Sequence, residues 1–408
     1  MPAPRNAVSF ILLTVLLDVI GFGIIIPVLP NLLVELEGIS ISEASAYGGY
    51  LLTAFAVAQF ICSPIMGGLS DRYGRKPVIL LSLFGFTLDY LLLAFAPSYA
   101  WLVVGRIIAG GFGASYTVAM AYIADISTAG NRAQNFGYIG AAFGAGFVIG
   151  PSLGGFLGEL GLRLPFYVAA GLTFLNFLYG LFVLPESLAP ENRRAFSWER
   201  ANPVGTLRQL VSYKSIRLLL ITMFLFNVGV HAVNSNWAYF VIYRFGWTEL
   251  TVGISLGVAG ILVGLAQAIL SQRVKDRLGA SRGILLGLAL YALGMLLFAF
   301  ASETWMMFVF IIPYCLGGVA SPILQAYLTD QVKADQQGEL QGGLTALQSV
   351  TTIIGPVLMT SLFAYTTATD TPFYFPGSAF FLAAILMALA WVVARIGLRS
   401  AQHTEATG

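Results

Sequence analysis

Charge is what this chain has least of. Only 10% of its 408 residues are charged, against about a quarter in soluble domains. With 58% of residues hydrophobic, the polar groups are too few to cover a water-soluble fold. There are two cysteines, Cys62 and Cys315, in different apolar runs. They read as small buried hydrophobes, and no disulfide framework is implied. Two histidines and no ligand-spaced cluster imply no metal. Gly-x-x-x-x-Gly-Lys, His-Glu-x-x-His and Gly-x-Ser-x-Gly are all missing. Gly144-Ala145-Gly146 with Gly150 imitates a dinucleotide fingerprint, but it lies inside an apolar run with no acid to take a ribose. The sequence thus implies no enzyme and no cofactor, and any energy source must be an ion gradient. The net charge of +2 gives no reason to expect a nucleic-acid partner.

What is present is a succession of apolar runs of roughly 20 residues, each long enough to cross the ~30 Å hydrocarbon core as a helix. Polar breaks divide them into twelve spans, six at about 7–29, 46–66, 77–96, 99–124, 134–157 and 165–184. Six more follow at about 216–241, 250–272, 283–301, 304–328, 339–364 and 374–396. The expected organisation is a six-helix bundle over 1–185, a cytoplasmic linker over 186–215, a second bundle over 216–400 and a tail over 401–408. The stretch from Pro185 to Arg217 is the most polar, with Arg193, Arg194, Glu199, Arg200, Arg208 and Lys214. Its Phe196, Trp198, Leu207 and Leu210 point to a partial surface helix. The first run lacks a cleavage site and continues into Gly21-Phe22-Gly23 and Pro27, so it is a retained span. With both termini cytoplasmic, all but three of the 21 Lys and Arg fall on the inner side. The exceptions are Arg163 and Arg244 outside and Arg106 within a span.

The two halves are versions of one unit. Asp71-Arg72-Tyr73-Gly74 returns as Asp276-Arg277-Leu278-Gly279, an offset of 205 residues. At the same offset Asp125 returns as Asp330, Gln134 as Glu339 and Gly150-Pro151 as Gly355-Pro356. Pro165-Phe166-Tyr167 returns as Pro372-Phe373-Tyr374 with a slip of two. A tandem repeat within a membrane protein points first to a transporter.

Charges inside the hydrocarbon cost roughly 2.5–3.5 kcal/mol each at mid-helix and need a partner or a task. Asp18, Asp89 and Arg106 are such charges. Asp18 lies about ten residues into its span, or ~15 Å, near mid-bilayer. A carboxyl removed from water favours its protonated form, and a nearby cation reverses that. Asp18 exchanging between apposition to Arg106 and a dry setting would couple protons to conformation; the alternative is a static ion pair, for Asp89 as for Asp18. Gly67-Gly68-Leu69-Ser70-Asp71-Arg72-Tyr73-Gly74-Arg75-Lys76 reads as a tight charged turn, with Gly67 and Gly74 allowing sharp turning. Asp71 would pair with Arg across a helix end as a latch. Gly146, Gly150, Pro151, Gly154 and Gly155 divide evenly between small-residue packing and a role in conformational change. In the seventh span Asn227, His231, Asn234, Asn236 and Trp237 suggest a ligand cavity with hydrogen-bonding groups among aromatics. Gln267, Tyr291 and Gln325 add to it. His231 is a second candidate proton carrier, and inter-helix hydrogen bonding is the plainer alternative.

Taken together, the twelve spans and the Gly67–Lys76 loop resemble the major facilitator superfamily. Leu102-x-x-x-Arg106-x-x-x-Gly110 is similar to its fourth-span proton-transfer motif, and Gly146 to Gly155 to its antiporter motif. The likeness extends to tetracycline/proton antiporters through Leu17-Asp18, Pro27-Val28-Leu29-Pro30, Leu88 to Phe95, Arg244-Phe245-Gly246-Trp247 and Gln336 to Gly342. The resemblance implies an all-α membrane fold of two pseudo-symmetric six-helix bundles. It implies functional roles for Asp18 and Asp89, gating roles for Asp71 and Arg75, and roles for Arg106 and Asp125. Gln59 and Gln267 have counterparts in the family. The His of span eight and the Asp of span nine appear here as Val263 and Tyr291, which leaves tetracycline itself in question as substrate.

The expectation is a monomeric proton-coupled antiporter of the bacterial inner membrane exporting a small amphipathic compound by alternating access. A proton-coupled importer or facilitator of a nutrient, and a non-transporting receptor or scaffold, are the alternatives. The partners expected are a small-molecule substrate, protons and the lipid bilayer.

Overall fold

The computed structural model of the chain describes residues 5–113, 115–128, 130–198, 205, 210, 213, 216–333 and 336–407. No strand occurs among these residues, and twelve helices are long and apolar enough to cross a membrane. They run Ala7–Ile25, Ile41–Tyr73, Arg75–Phe95, Tyr99–Ile126, Gln134–Leu160 and Leu164–Val183. After the linker come Arg217–Phe245, Glu249–Leu278, Ala280–Ala299, Thr304–Asp330, Gln337–Thr367 and Ser378–Arg399. All twelve apolar runs are therefore helices, and we number them as spans 1 to 12.

Differences from the sequence reading lie where backbone chemistry overrides hydropathy. Span 1 stops at Ile25, and a separate helix, Leu29–Glu37, follows. Pro27 has no N–H to continue the ladder, whereas Pro30 is accommodated in the first turn of the next helix. Span 2 is helical through Tyr73, so the charged segment is not a loop. The chain reverses at Gly74 alone, at φ +107°. Gly67 lies within the helix, where an added Cβ would meet nothing within 4 Å, so it is not a turning residue. The repeat shows in these irregularities. Gly279, the counterpart of Gly74, also has positive φ, at +79°. Span 4 turns where Gly113 N–H reaches Gly110 O at 3.2 Å, and span 10 where Gly318 N–H reaches Cys315 O at 3.0 Å, the same pair one repeat later. Two spans depart from the repeat: span 7 runs unbroken over Arg217–Phe245 where span 1 is interrupted, and span 8 has a π-turn over Ala266–Leu270.

The chain forms two compact units. The first comprises Met1–Ile39, Ala54–Pro203 and Trp247–Gly257; the second comprises Ser40–Thr53, Val204–Gly246 and Val258–Gly408. In the first, Phe10, Ile11, Ile79, Leu83, Tyr122 and Ile123 form a core without exposed area. Span 5 packs on span 1 through glycines. A Cβ at Gly146 would lie 2.9 Å from Leu16 O, and one at Gly150 2.8 Å from Ile20 O. Gly154 meets the Ile24 backbone, and Gly155 meets Glu249 at the start of span 8. Asn31 closes that end by donating to Glu249 Oε1 at 2.6 Å. The second unit is built on aromatics: Trp237 packs edge-on against Phe298 at 5.0 Å and Phe380 at 6.2 Å. Its share of span 2 is held to span 11 by Ser42 with Thr367, by Ser45 to Thr360 O and by Thr53 to Ile353 O.

Between spans 6 and 7 the described linker residues include a 3-10 turn at Pro190–Asn192. Most of the expected surface helix, with Glu199, Arg200, Leu207, Arg208 and Lys214, lies outside the described residues.

The two glycines of the charged segment are predicted to behave oppositely. Gly74→Ala places a Cβ at positive φ and against the Glu186 carboxylate, so it should cost more than about 1 kcal/mol. Gly67→Ala should be neutral or stabilising by about 0.5–1 kcal/mol. Thermal unfolding of the purified variants in detergent checks both.

Candidate functional site

Asp18, Asp89 and Arg106 lie inside their spans and away from either end, and two of them are committed to each other. Asp89 is fully buried in span 3. Arg106, in span 4, donates from Nε to Asp89 Oδ1 at 3.2 Å and from Nη2 to Asp89 Oδ2. Gly105 makes this possible: a Cβ there would lie 2.9 Å from Asp89 Oδ1. The other side of the guanidinium faces the Phe55 ring, 5.9 Å from its centroid. Arg106 is thus occupied by Asp89, and the apposition to Asp18 expected from the sequence does not occur in this structure. Both carboxyl oxygens of Asp18 are shielded from solvent and have no hydrogen-bond partner among the described residues. Ser115 of span 4 and Tyr90 of span 3 lie beside it.

The second constellation joins the end of span 2, the start of span 3 and the end of span 4. Arg75 Nη1 donates to Asp71 Oδ1 and to Ser70 Oγ, each at 2.6 Å. Its Nε donates to Asp125 Oδ2 at 3.1 Å. Glu186 was not anticipated from the sequence. It accepts from the backbone N–H of Arg75 at 2.8 Å and of Lys76 at 3.2 Å, capping span 3 where its first N–H groups lack partners. The available signal was Pro185-Glu186-Ser187, an acid at the end of span 6 with no counterpart one repeat later, where Val393 stands at the offset of 207 residues. Ser187 Oγ adds a bond to Asp125 at 3.1 Å, and Lys76 Nζ reaches Leu181 O at 3.0 Å. Arg72 points away, its guanidinium 5.0 Å from the Tyr73 ring. The linker joins in: Arg194 N–H donates to Asp71 O at 3.0 Å, and Phe196 covers Gly68. This network has no twin. The position equivalent to Arg75 is Ala280, and Asp276 is bonded by Gln272 at 2.8 Å.

The polar inventory expected to line a cavity separates into two groups. Asn227, His231 and Asn234 share a face of span 7; His231 lies against Gly355, and Asn234 is exposed. Asn236 and Trp237 do not belong with them. At 3.6 residues per turn Asn236 points about 140° away from His231. It is fully buried with no bonded partner among the described residues, and Trp237 fills the aromatic core. Tyr291 is likewise core, packed between Phe226 and Tyr314 at 5.1 Å each. Gln59 donates to Gly113 O at 3.1 Å, at the break in span 4. Gln325 is exposed and bonded to Gln341 at 3.2 Å, and Gln267 is exposed within the π-turn. Of the antiporter-motif glycines, Gly146, Gly150 and Gly154 each receive the backbone of span 1, and Gly155 with Pro151 receives span 8 at Glu249 and Gly253.

Residues 11–275 and 236–406 match the family model described as Major Facilitator Superfamily. The tetracycline resistance protein, class C, of Escherichia coli is 43% identical over 365 residues, covering 90% of this chain and 91% of that protein. The class B protein of Escherichia coli is 36% identical over 408 residues, covering 98% and 100%. Among solved structures, a bacterial homologue of the human lysosomal transporter Spinster superposes with a TM-score of 0.78 at 15% identity, covering 98% of each chain. That likeness establishes the fold.

The buried pair predicts a test of its own. Arg106→Ala should destabilise the protein by about 3–5 kcal/mol, because Asp89 is left buried and unpaired. Adding Asp89→Asn should recover most of the loss. A double-mutant cycle on thermal unfolding in detergent measures the coupling.

Proposed function

The chain belongs to the major facilitator superfamily, and from that premise we propose that Asp18 is the group through which it exchanges protons for its cargo. It is a proton-coupled drug-efflux transporter of the kind the tetracycline resistance proteins represent, a multi-pass protein of the bacterial inner membrane. The cargo is a small amphipathic compound, carried outward by alternating access with both termini on the cytoplasmic side and the monomer as the working unit. One observation carries the assignment. Asp89 has an arginine and Asp18 has no cation beside it among the described residues, so of these two acids Asp18 is the one that can gain or lose a proton without breaking an ion pair. Arg106 positions Asp89 and holds spans 3 and 4 together. Arg75, Asp71, Asp125 and Glu186 form the cytoplasmic latch, which holds one conformation and parts in the other.

On the cargo, the second unit is informative. Where tetracycline pumps have a charged residue in span nine, Tyr291 is locked between Phe226 and Tyr314. Recognition in this unit therefore falls to neutral groups, Asn227, His231, Asn234 and Gln267, and favours cargo that needs no buried counter-charge.

In a pump-deficient bacterial host, Asp18→Asn is expected to reduce resistance to tetracycline and to other amphipathic drugs to the empty-vector level. The purified variant should still bind whichever drug the wild type exports. Wild-type proton-driven efflux by Asp18→Asn in inside-out vesicles contradicts the assignment.

A further inference from the structure

The two halves treat one pair of helices differently. In the first, spans 2 and 4 touch at Gly110: a Cβ there would meet Phe55 O and would lie 2.8 Å from Ala58 Cβ. One repeat later Gly110 and Gly111 become Cys315 and Leu316. The Cys315 sulfur reaches Ala259 O at 3.6 Å, so a side chain stands between spans 8 and 10 where the first half has none. The result is an almost wholly apolar groove of about 260 Å³ bounded by Leu262, Leu265, Ile269 and Leu270 on one wall and Ile312 and Leu316 on the other. The π-turn over Ala266–Leu270 widens the helix along this wall. Nearer the membrane surface the first half covers its own equivalent with protein, Phe196 lying over Gly68. The residue equivalent to Gly68 is Arg273, which is exposed.

Arg273 is one turn beyond Ile269 and Leu270, and Arg277 one turn beyond Arg273, so the two cations share a face at the end of the groove. Both are exposed, and neither forms an ion pair among the described residues. Asp276, the acid beside them, accepts from Gln272 Nε2 at 2.8 Å. An apolar slot between two spans, with two guanidinium groups beyond its end that pair with no acid among the described residues, has the chemistry of one class of ligand. We propose that this groove is a binding site for an anionic phospholipid, one acyl chain lying between spans 8 and 10 and the phosphate held by Arg273 and Arg277. The site is distinct from the proton and cargo groups, and its occupancy does not depend on transport.

The test is photolabelling in nanodiscs with phosphatidylglycerol carrying a diazirine in one acyl chain, compared with the matching phosphatidylcholine. Adducts mapped by mass spectrometry to residues 262–270 and 312–316 should be roughly tenfold more abundant with phosphatidylglycerol. The Arg273→Gln/Arg277→Gln variant should fall to the phosphatidylcholine level there, while adducts elsewhere on the protein stay unchanged and report intact folding. Ala266→Trp should remove the groove adducts with either lipid. Equal labelling by the two lipids, or phosphatidylglycerol labelling indifferent to the arginine substitutions, overturns the proposal. So does loss of the adducts on adding excess tetracycline, which would make the groove a cargo path.

Discussion

The pairing of Arg106 with Asp89 is the constraint on which the account rests. A guanidinium within the hydrocarbon needs a counter-charge, and the helices supply two carboxylates that could provide it. Gly105 decides between them, because its missing side chain lets the Asp89 carboxylate reach the arginine. Once that pair is formed, the first unit has a neutral ion pair and one solitary acid. A buried pair joins spans 3 and 4, and the Asp18 carboxyl on span 1 has no cation beside it among the described residues. Span 1 is also the helix that the glycines of span 5 allow to pack most closely. Asp18 therefore sits on an element whose contacts with span 5 are close to backbone against backbone.

The halves share a plan and differ in materials. Gly74 and Gly279 reverse the chain alike, and the breaks after Gly110 and Cys315 recur in register. The first unit holds the ion pair, the solitary acid and the charged latch. The second holds an aromatic core of Trp237, Phe298 and Phe380, with Tyr291 and Tyr314 beside it. The Arg75 position is Ala280 in the second half, so charge-assisted gating is confined to one side of the pseudo-symmetry.

Spans and their repeat were legible because membrane insertion imposes a hydropathy signal that a single chain reveals. Interruptions were less so: Pro27 announces the end of span 1, but nothing in the apolar run 249–278 announces the π-turn at Ala266. Asp18, Asp89 and Arg106 stood out by cost alone, since few charges enter hydrocarbon. Which acid would take the arginine depends on Gly105 and on helix rotation, and neither is written in spacing. Glu186 was missed because its task is to cap the N–H groups of another helix, a role that residue type does not disclose. Trp237 was misplaced for a simpler reason. Adjacency in sequence does not mean adjacency on a face, and helical geometry turns this side chain into the core.

The most direct measurement is proton release from the purified transporter in weakly buffered detergent when a drug that the wild type exports is added. The account predicts release from the wild type and from the Asp89→Asn/Arg106→Gln variant, and none from Asp18→Asn. Undiminished release from Asp18→Asn would contradict it.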